Sequence, residues 1–149
     1  MTQATVVFVF RDSKVLLAMK KRGFGNGRWN GLGGKVHGGE TPTQAAVREV
    51  KEEAGIDVVV GKPLGTATFY NSSKGDWVVD IFATEQFSGE SVETEEMKPQ
   101  WFNIDEVPYD QMWDDDKLWY PLLFKRQPFR AEFWFGPDEK VVRHEITKL

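Results

Sequence analysis

Residues Thr41 to Gly55 carry the signals for both ends of one helix, and no other stretch of the chain is specified so tightly. Thr41-Pro42-Thr43-Gln44 fits a capping box, with Thr41 as N-cap and Gln44 at the third helical position. Pro42 falls at the first helical position, where its fixed φ helps and its missing N–H costs nothing. Gly55 supplies the stop. At ~100° per residue, Ala46, Val47, Val50 and Ala54 gather on one face, while Glu49, Glu52 and Glu53 gather on another, roughly 120° away. The apolar face has to lie on something. The segment just upstream is unusual: Lys20 to Gly39 holds eight glycines, with Phe24, Arg28, Trp29 and Asn30 among them. Glycine at that density marks bends and close approach of backbone to a ligand.

Strand signals surround the helix. Thr5 to Phe10 is β-branched and aromatic and reads as a buried strand, with Arg11-Asp12-Ser13 as a turn and Lys14 to Met19 as its hairpin partner. Further strands are expected at Val58 to Val60, Leu64 to Tyr70, Trp77 to Phe87 and Trp101 to Asn103, with Asn71 to Asp76 as a turn and Asp105 to Asp114 as a loop. Lys117 to Arg126 reads as a second helix whose start Pro121 leaves open. Phe129 to Phe135 and Lys140 to Ile146 read as a terminal hairpin. Strands before and after each helix argue for an α+β fold, an α/β/α sandwich, rather than a doubly wound parallel sheet. With 149 residues, 40% of them apolar, one domain over 1–149 is expected.

Composition narrows the chemistry. The absence of cysteine excludes a disulfide framework, a thiolate metal site and a cysteine nucleophile. A net charge of −4 makes sequence-independent binding to a nucleic-acid backbone a poor fit. A phosphate-bearing substrate would need local Lys and Arg or a metal cation. The apolar runs are short for a membrane span, and the start has no basic region before an apolar stretch, so the cytosol is the expected compartment.

Three glutamates on one helix face repel one another. A solvated face with Arg48 and Lys51 nearby would account for them. Glu40 just before the helix and the glycine-rich entry favour a second reading, a hard oxygen surface for Mg²⁺ or Mn²⁺ shared with substrate phosphates.

Gly34, five residues, Glu40, seven residues, then Arg48-Glu49-Val50-Lys51-Glu52-Glu53-Ala54-Gly55-Ile56 matches the Nudix box, GX5EX7REUXEEXGU, at every defined position. The chain is accordingly identified as resembling the Nudix hydrolases. That resemblance implies a mixed β-sheet with flanking helices, the loop–helix–loop at about 34–56, and hydrolysis of a nucleoside diphosphate linked to another group. It implies that Glu49, Glu52 and Glu53 hold the divalent metal, Mg²⁺ with Mn²⁺ able to substitute, with Gly33 beside them. By the same resemblance Glu53 orients or deprotonates the attacking water, Arg48 positions the carboxylates, and Glu40 anchors loop to helix.

Outside the box, Lys20 to Val36, Glu96 to Phe102 and Met112 to Leu123 resemble the animal branch of the MutT-homologue oxidised-purine nucleoside triphosphatases. The implied reaction converts oxidised purine nucleotides such as 8-oxo-dGTP, with 2-hydroxy-dATP as a further candidate, to the monophosphate and pyrophosphate. Other Nudix substrates stay open: dinucleoside polyphosphates, nucleotide sugars, methylated purine nucleotides, or mere nucleotide sensing. The implied base pocket uses Asn30, Asp115 and Asp116 on the purine edge, Trp113, Phe24 and Phe69 as walls, and Thr5 and Lys20 beside them. Glu96 matches a further metal-associated glutamate. Trp77 stands where the relatives carry a methionine, and its larger indole would narrow the pocket. Each has a plainer alternative: Asp115 and Asp116 as helix caps, Trp113 and Phe24 as core, Asn30 as a turn residue. Two close carboxylates cannot both ionise cheaply, so one would stay protonated and donate. A monomer acting on a small nucleotide, with no polymer or membrane partner, is expected.

Overall fold

The uninterrupted apolar run near the start becomes the centre of the molecule. In a computed structural model describing residues 1–149, strand β1 (Thr2–Arg11) is buried from Ala4 to Phe10 on both faces, as a central strand must be. There follow β2 (Lys14–Lys20), β3 (Trp29–Asn30), β4 (Leu32–Lys35), helix α1 (Pro42–Ala54), β5 (Asp57–Val58), β6 (Gly65–Ser72), β7 (Gly75–Thr84), β8 (Phe87–Ser88), β9 (Met97–Asn103), helix α2 (Asp116–Phe124), β10 (Phe129–Phe135) and β11 (Val141–Lys148). Nine strands form one mixed sheet in the order β11-β10-β6-β7-β1-β2-β3, with β4 also on β1 and β9 also on β2. The pairs β1–β7 and β6–β10 are parallel. The strands β5 and β8 make a separate small ribbon.

Alternation along β1 divides the core. Val7 and Val9 face one way and pack with Leu16 and Phe82 under Ala46, Val50 and Ala54 of α1. Phe8 and Phe10 face the other way and pack with Phe129 and Phe133 under Trp119, Tyr120 and Leu123 of α2. The architecture is thus α+β, one mixed sheet with a helix on each face. Helix α1 has the expected ends: Thr41 Oγ1 accepts from the Gln44 N–H at 3.1 Å, Gln44 Oε1 accepts from the Thr41 N–H at 2.9 Å, and Gly55 is left-handed at φ +75°. Ala45 rather than Val47 completes its buried stripe.

Several boundaries move. The expected strand at Val58 to Val60 pairs only over Asp57–Val58. The turn shrinks from Asn71–Asp76 to Ser73 and Lys74, because Ser72 still pairs with Gly75. β9 begins at Met97, four residues before the expected Trp101, and tolerates Pro99 as an edge strand. Pro121 lies inside α2, which starts at Asp116. The glycine segment is not all loop: β3 and β4 arise within it. No helix is long and apolar enough to cross a membrane.

Candidate active site

The glycines of β4 are there because there is no room for side chains. A Cβ on Gly33 would sit 2.0 Å from the carbonyl oxygen of Thr5 in β1, and one on Gly34 would sit 2.7 Å from the carboxyl of Glu49 in α1. This close packing places the Gly33 N–H on Oε1 of Glu53 at 2.8 Å. The Glu53 carboxyl is pushed up to about 8, chiefly by burial, with Glu49 and Glu52 adding to the rise while the Gly33 hydrogen bond and Lys20 oppose it.

Arg48 organises the rest of the acidic face. Its Nε and Nη2 grip both oxygens of Glu40 at 2.7 and 3.0 Å, and its Nη1 reaches Glu49 at 2.7 Å and Glu52 at 3.3 Å. Glu40 also accepts from the His37 N–H at 2.9 Å, so it ties loop to helix. Its carboxyl is held down to about 2, first by Arg48 and then by that backbone bond. Glu52 is largely exposed. No three carboxylates close around one point. The donor chemistry nevertheless suits a divalent cation. Glu53 is a buried carboxyl beside two others, and a hard cation that keeps waters and shares substrate phosphates needs only a few protein oxygens. Glu96 is exposed, with its carboxylate 3.5 Å from Arg22.

A cavity of about 330 Å³ reaches from Gly33, Gly34 and Glu53 to the start of α2. Every residue assigned to the substrate lines it. Thr5, Lys20 and Asn30 come from the sheet, Phe69 and Trp77 from β6 and β7, Phe24 from the glycine loop, and Trp113, Asp115 and Asp116 from the approach to α2. Phe24 sits between the left-handed glycines Gly23 and Gly25, is 38% exposed, and lies 5.3 Å from Trp113 centroid to centroid, so it is not core. Asn30 Oδ1 accepts from the Gly31 N–H at 2.8 Å, as a turn residue would, and also from the Tyr120 hydroxyl at 3.3 Å.

The capping alternative for the aspartates fails. Asp115 occupies the N-cap position with helical backbone and makes no capping bond. Its Oδ2 instead accepts from the Trp119 indole N–H at 2.8 Å. Both aspartates are 3% exposed. Burial raises Asp115 to about 6 and, with the charge of Asp115 added, raises Asp116 well above the carboxylate range. Asp116 Oδ2 and Thr5 Oγ1 are buried without partners at the cavity wall, which is how polar atoms look when they await a ligand. Sequence reasoning missed Trp119, Tyr120, Arg28 and Glu139. The i, i+4 spacing of Asp115 and Trp119 could have shown the first; nothing local marks Glu139.

The NUDIX domain model matches residues 1–123. The chain belongs to the Nudix family. This Nudix protein is 44% identical to the oxidized purine nucleoside triphosphate hydrolase of Danio rerio, over 97% of its own length and 94% of the relative's. Its identity to the Mus musculus protein of the same name is 40% over the same shares. A crystal structure of a mutator MutT protein from Bacillus halodurans superposes with a TM-score of 0.87 at 26% identity, covering 98% of this chain and 97% of that one. Nudix enzymes hydrolyse their substrates with a divalent cation.

Proposed function

We propose that this Nudix protein hydrolyses oxidised purine nucleoside triphosphates, such as 8-oxo-dGTP and 2-hydroxy-dATP, to the monophosphate and pyrophosphate. The observation that carries this reading is the buried Asp115–Asp116 pair, facing the same cavity as Glu53. The names of the Danio rerio and Mus musculus relatives support it.

In this reading Asp116 keeps its proton and donates, while Asp115 accepts. Moving that one proton reverses the polarity offered to the purine edge, which suits both oxidised guanine and oxidised adenine. The Asn30 amide nitrogen adds a donor. Trp113 and Phe24 stack on the base, with Phe69 and Trp77 as further walls and Thr5 and Lys20 alongside. At the other end Glu49, Glu52 and Glu53 would hold Mg²⁺, or Mn²⁺ in its place, with Gly33 beside them. The bound cation would lower the pKa of water and neutralise charge on the breaking phosphoanhydride. Beside a bound cation the Glu53 carboxyl, raised to about 8 by burial, would ionise, and with Oε1 fixed by Gly33 its Oε2 could take the proton of the attacking water. Arg48 keeps Glu49 and Glu52 from swinging away. The enzyme would act as a monomer on the cytosolic nucleotide pool.

The test is pyrophosphate release by the purified protein with Mg²⁺ from 8-oxo-dGTP, 2-hydroxy-dATP, dGTP, a dinucleoside polyphosphate and a nucleotide sugar. The oxidised triphosphates should exceed dGTP in kcat/KM by about tenfold or more, the worth of one correctly paired buried hydrogen bond. Preference for a capped diphosphate would point to another Nudix specificity. Nucleotide binding without turnover would point to a sensor.

A further inference from the structure

The turn joining β10 to β11 holds two consecutive non-glycine residues in the left-handed region, Asp138 at φ +61° and Glu139 at φ +57°. Such backbone persists only where the surroundings hold it. Its result is to bring the Glu139 carboxylate to the cavity wall. There Glu139 accepts a hydrogen bond from the hydroxyl of Ser73, in the β6–β7 turn, and its Oε2 stands 3.7 Å from Nη2 of Arg28. The Arg28 guanidinium in turn lies 4.2 Å from the centroid of the Trp113 ring. Beside Gly25 there is no slack, since a Cβ there would be 3.0 Å from the same indole. A second tie runs parallel: the Val141 N–H donates to Asp114 Oδ2 at 2.9 Å, next in sequence to Trp113.

Glu139 has no part in the acidic helix face or in the reading of the purine edge. It also lies beyond residue 123, where the match to the family ends. We infer that Glu139 is a positioning residue for the nucleotide: through Arg28 it holds the Trp113 ring as a fixed wall of the base cavity. The inference rests on the substrate reading above. It assigns to the C-terminal hairpin a share in substrate selection.

The test compares wild type, E139Q, R28A and the double variant. E139Q keeps an acceptor for Ser73 and removes the charge that Arg28 faces. With 8-oxo-dGTP and Mg²⁺, E139Q should raise KM about 3–10-fold with kcat within about twofold, the modest scale proper to a half-exposed pair acting through a cation–π contact. R28A should raise KM at least as much, and the double variant should be no worse than R28A alone. S73A, which removes only the hydroxyl, should move KM in the same direction. In the ligand-free proteins, acrylamide quenching of Trp113 emission, isolated by subtracting the same measurement on W113F variants, should rise in E139Q. Unchanged KM, multiplied effects in the double variant, or a kcat loss that tracks the unfolding midpoint would overturn the inference. Should the wild type release pyrophosphate from no nucleotide, the substrate reading fails; unchanged quenching in E139Q then overturns the role of Glu139 separately.

Discussion

Trp119 donates its indole N–H to Oδ2 of Asp115, one helical turn away, at 2.8 Å, and no such donor reaches Oδ2 of Asp116. That bond breaks the symmetry of a buried acid pair. It stabilises the anion on Asp115, so the shared proton rests on Asp116. Recognition that needs one acceptor and one donor should weaken as pH falls through about 6, where Asp115 takes up a proton. Trp119→Phe removes the donor and should carry the acidic limb of kcat/KM for 8-oxo-dGTP to higher pH, with about a 3–10-fold loss at pH 7. A pH profile from 5 to 8 reads both. A limb that stays in place would contradict the asymmetry.

The same burial makes the pair a liability to the fold. A carboxyl raised above its unfolded value favours the protonated native state. Its contribution is fully present below about 4 and is lost as pH rises through the folded value, about 6 for Asp115, with Asp116 likewise raised well above its ordinary value by burial. Replacing both, Asp115→Asn with Asp116→Asn, removes that dependence. Relative to wild type, the double variant should gain stability between pH 5 and 8, by a few kcal/mol on the scale of two pKa units for one group. Urea unfolding at the two pH values measures the difference. The variant should also lose the preference for oxidised purines, a trade of recognition for stability.

What the sequence disclosed was whatever is written locally. Thr41, Gln44 and Gly55 fix α1 by bonds within a few residues, so both its ends could be read. The clustering of Glu49, Glu52 and Glu53 follows from helical spacing alone. β3 and β4 escaped notice because β3 is only Trp29–Asn30 and the glycines of β4 carry no pattern; they are strands only because Ala4 to Val7 of β1 and Ala18 and Met19 of β2 pair with them. Pro121 leaves the start of α2 open in the sequence, because what holds the helix through it is the burial of Trp119, Tyr120 and Leu123 in the core, which a local rule does not weigh. Arg28 and Glu139 meet across more than a hundred residues, and no motif announces such a pair. Glu96 was assigned by resemblance alone, and its carboxylate is exposed 3.5 Å from Arg22.

Gly33 and Gly34 are adjacent but should fail differently. A methyl on Gly33 meets the Thr5 backbone at 2.0 Å, which cannot yield without shifting β4 from β1. Gly33→Ala should therefore lower stability by about 1–3 kcal/mol or more, seen as a drop in the thermal midpoint. A methyl on Gly34 meets only the Glu49 carboxyl, the far end of a flexible side chain. Gly34→Ala should keep most of the stability and lose turnover, because the carboxylate is turned away from its place. Equal midpoints for the two variants would refute this division.

Glu53 is where these two demands meet, since its Oε1 satisfies the Gly33 N–H and its charge serves the reaction. Glu53→Gln retains an oxygen for Gly33 and abolishes both the anion and the proton acceptor. kcat should fall by about 10²–10⁴-fold, the range for loss of a positioned base, while KM changes little. The thermal midpoint should hold, because the backbone bond is kept. The same change at Glu52, exposed and reached by Arg48 at 3.3 Å, should cost less turnover. Steady-state kinetics beside thermal unfolding separates these outcomes. Near-normal kcat in E53Q would remove Glu53 from the chemistry and leave it a structural anchor for β4.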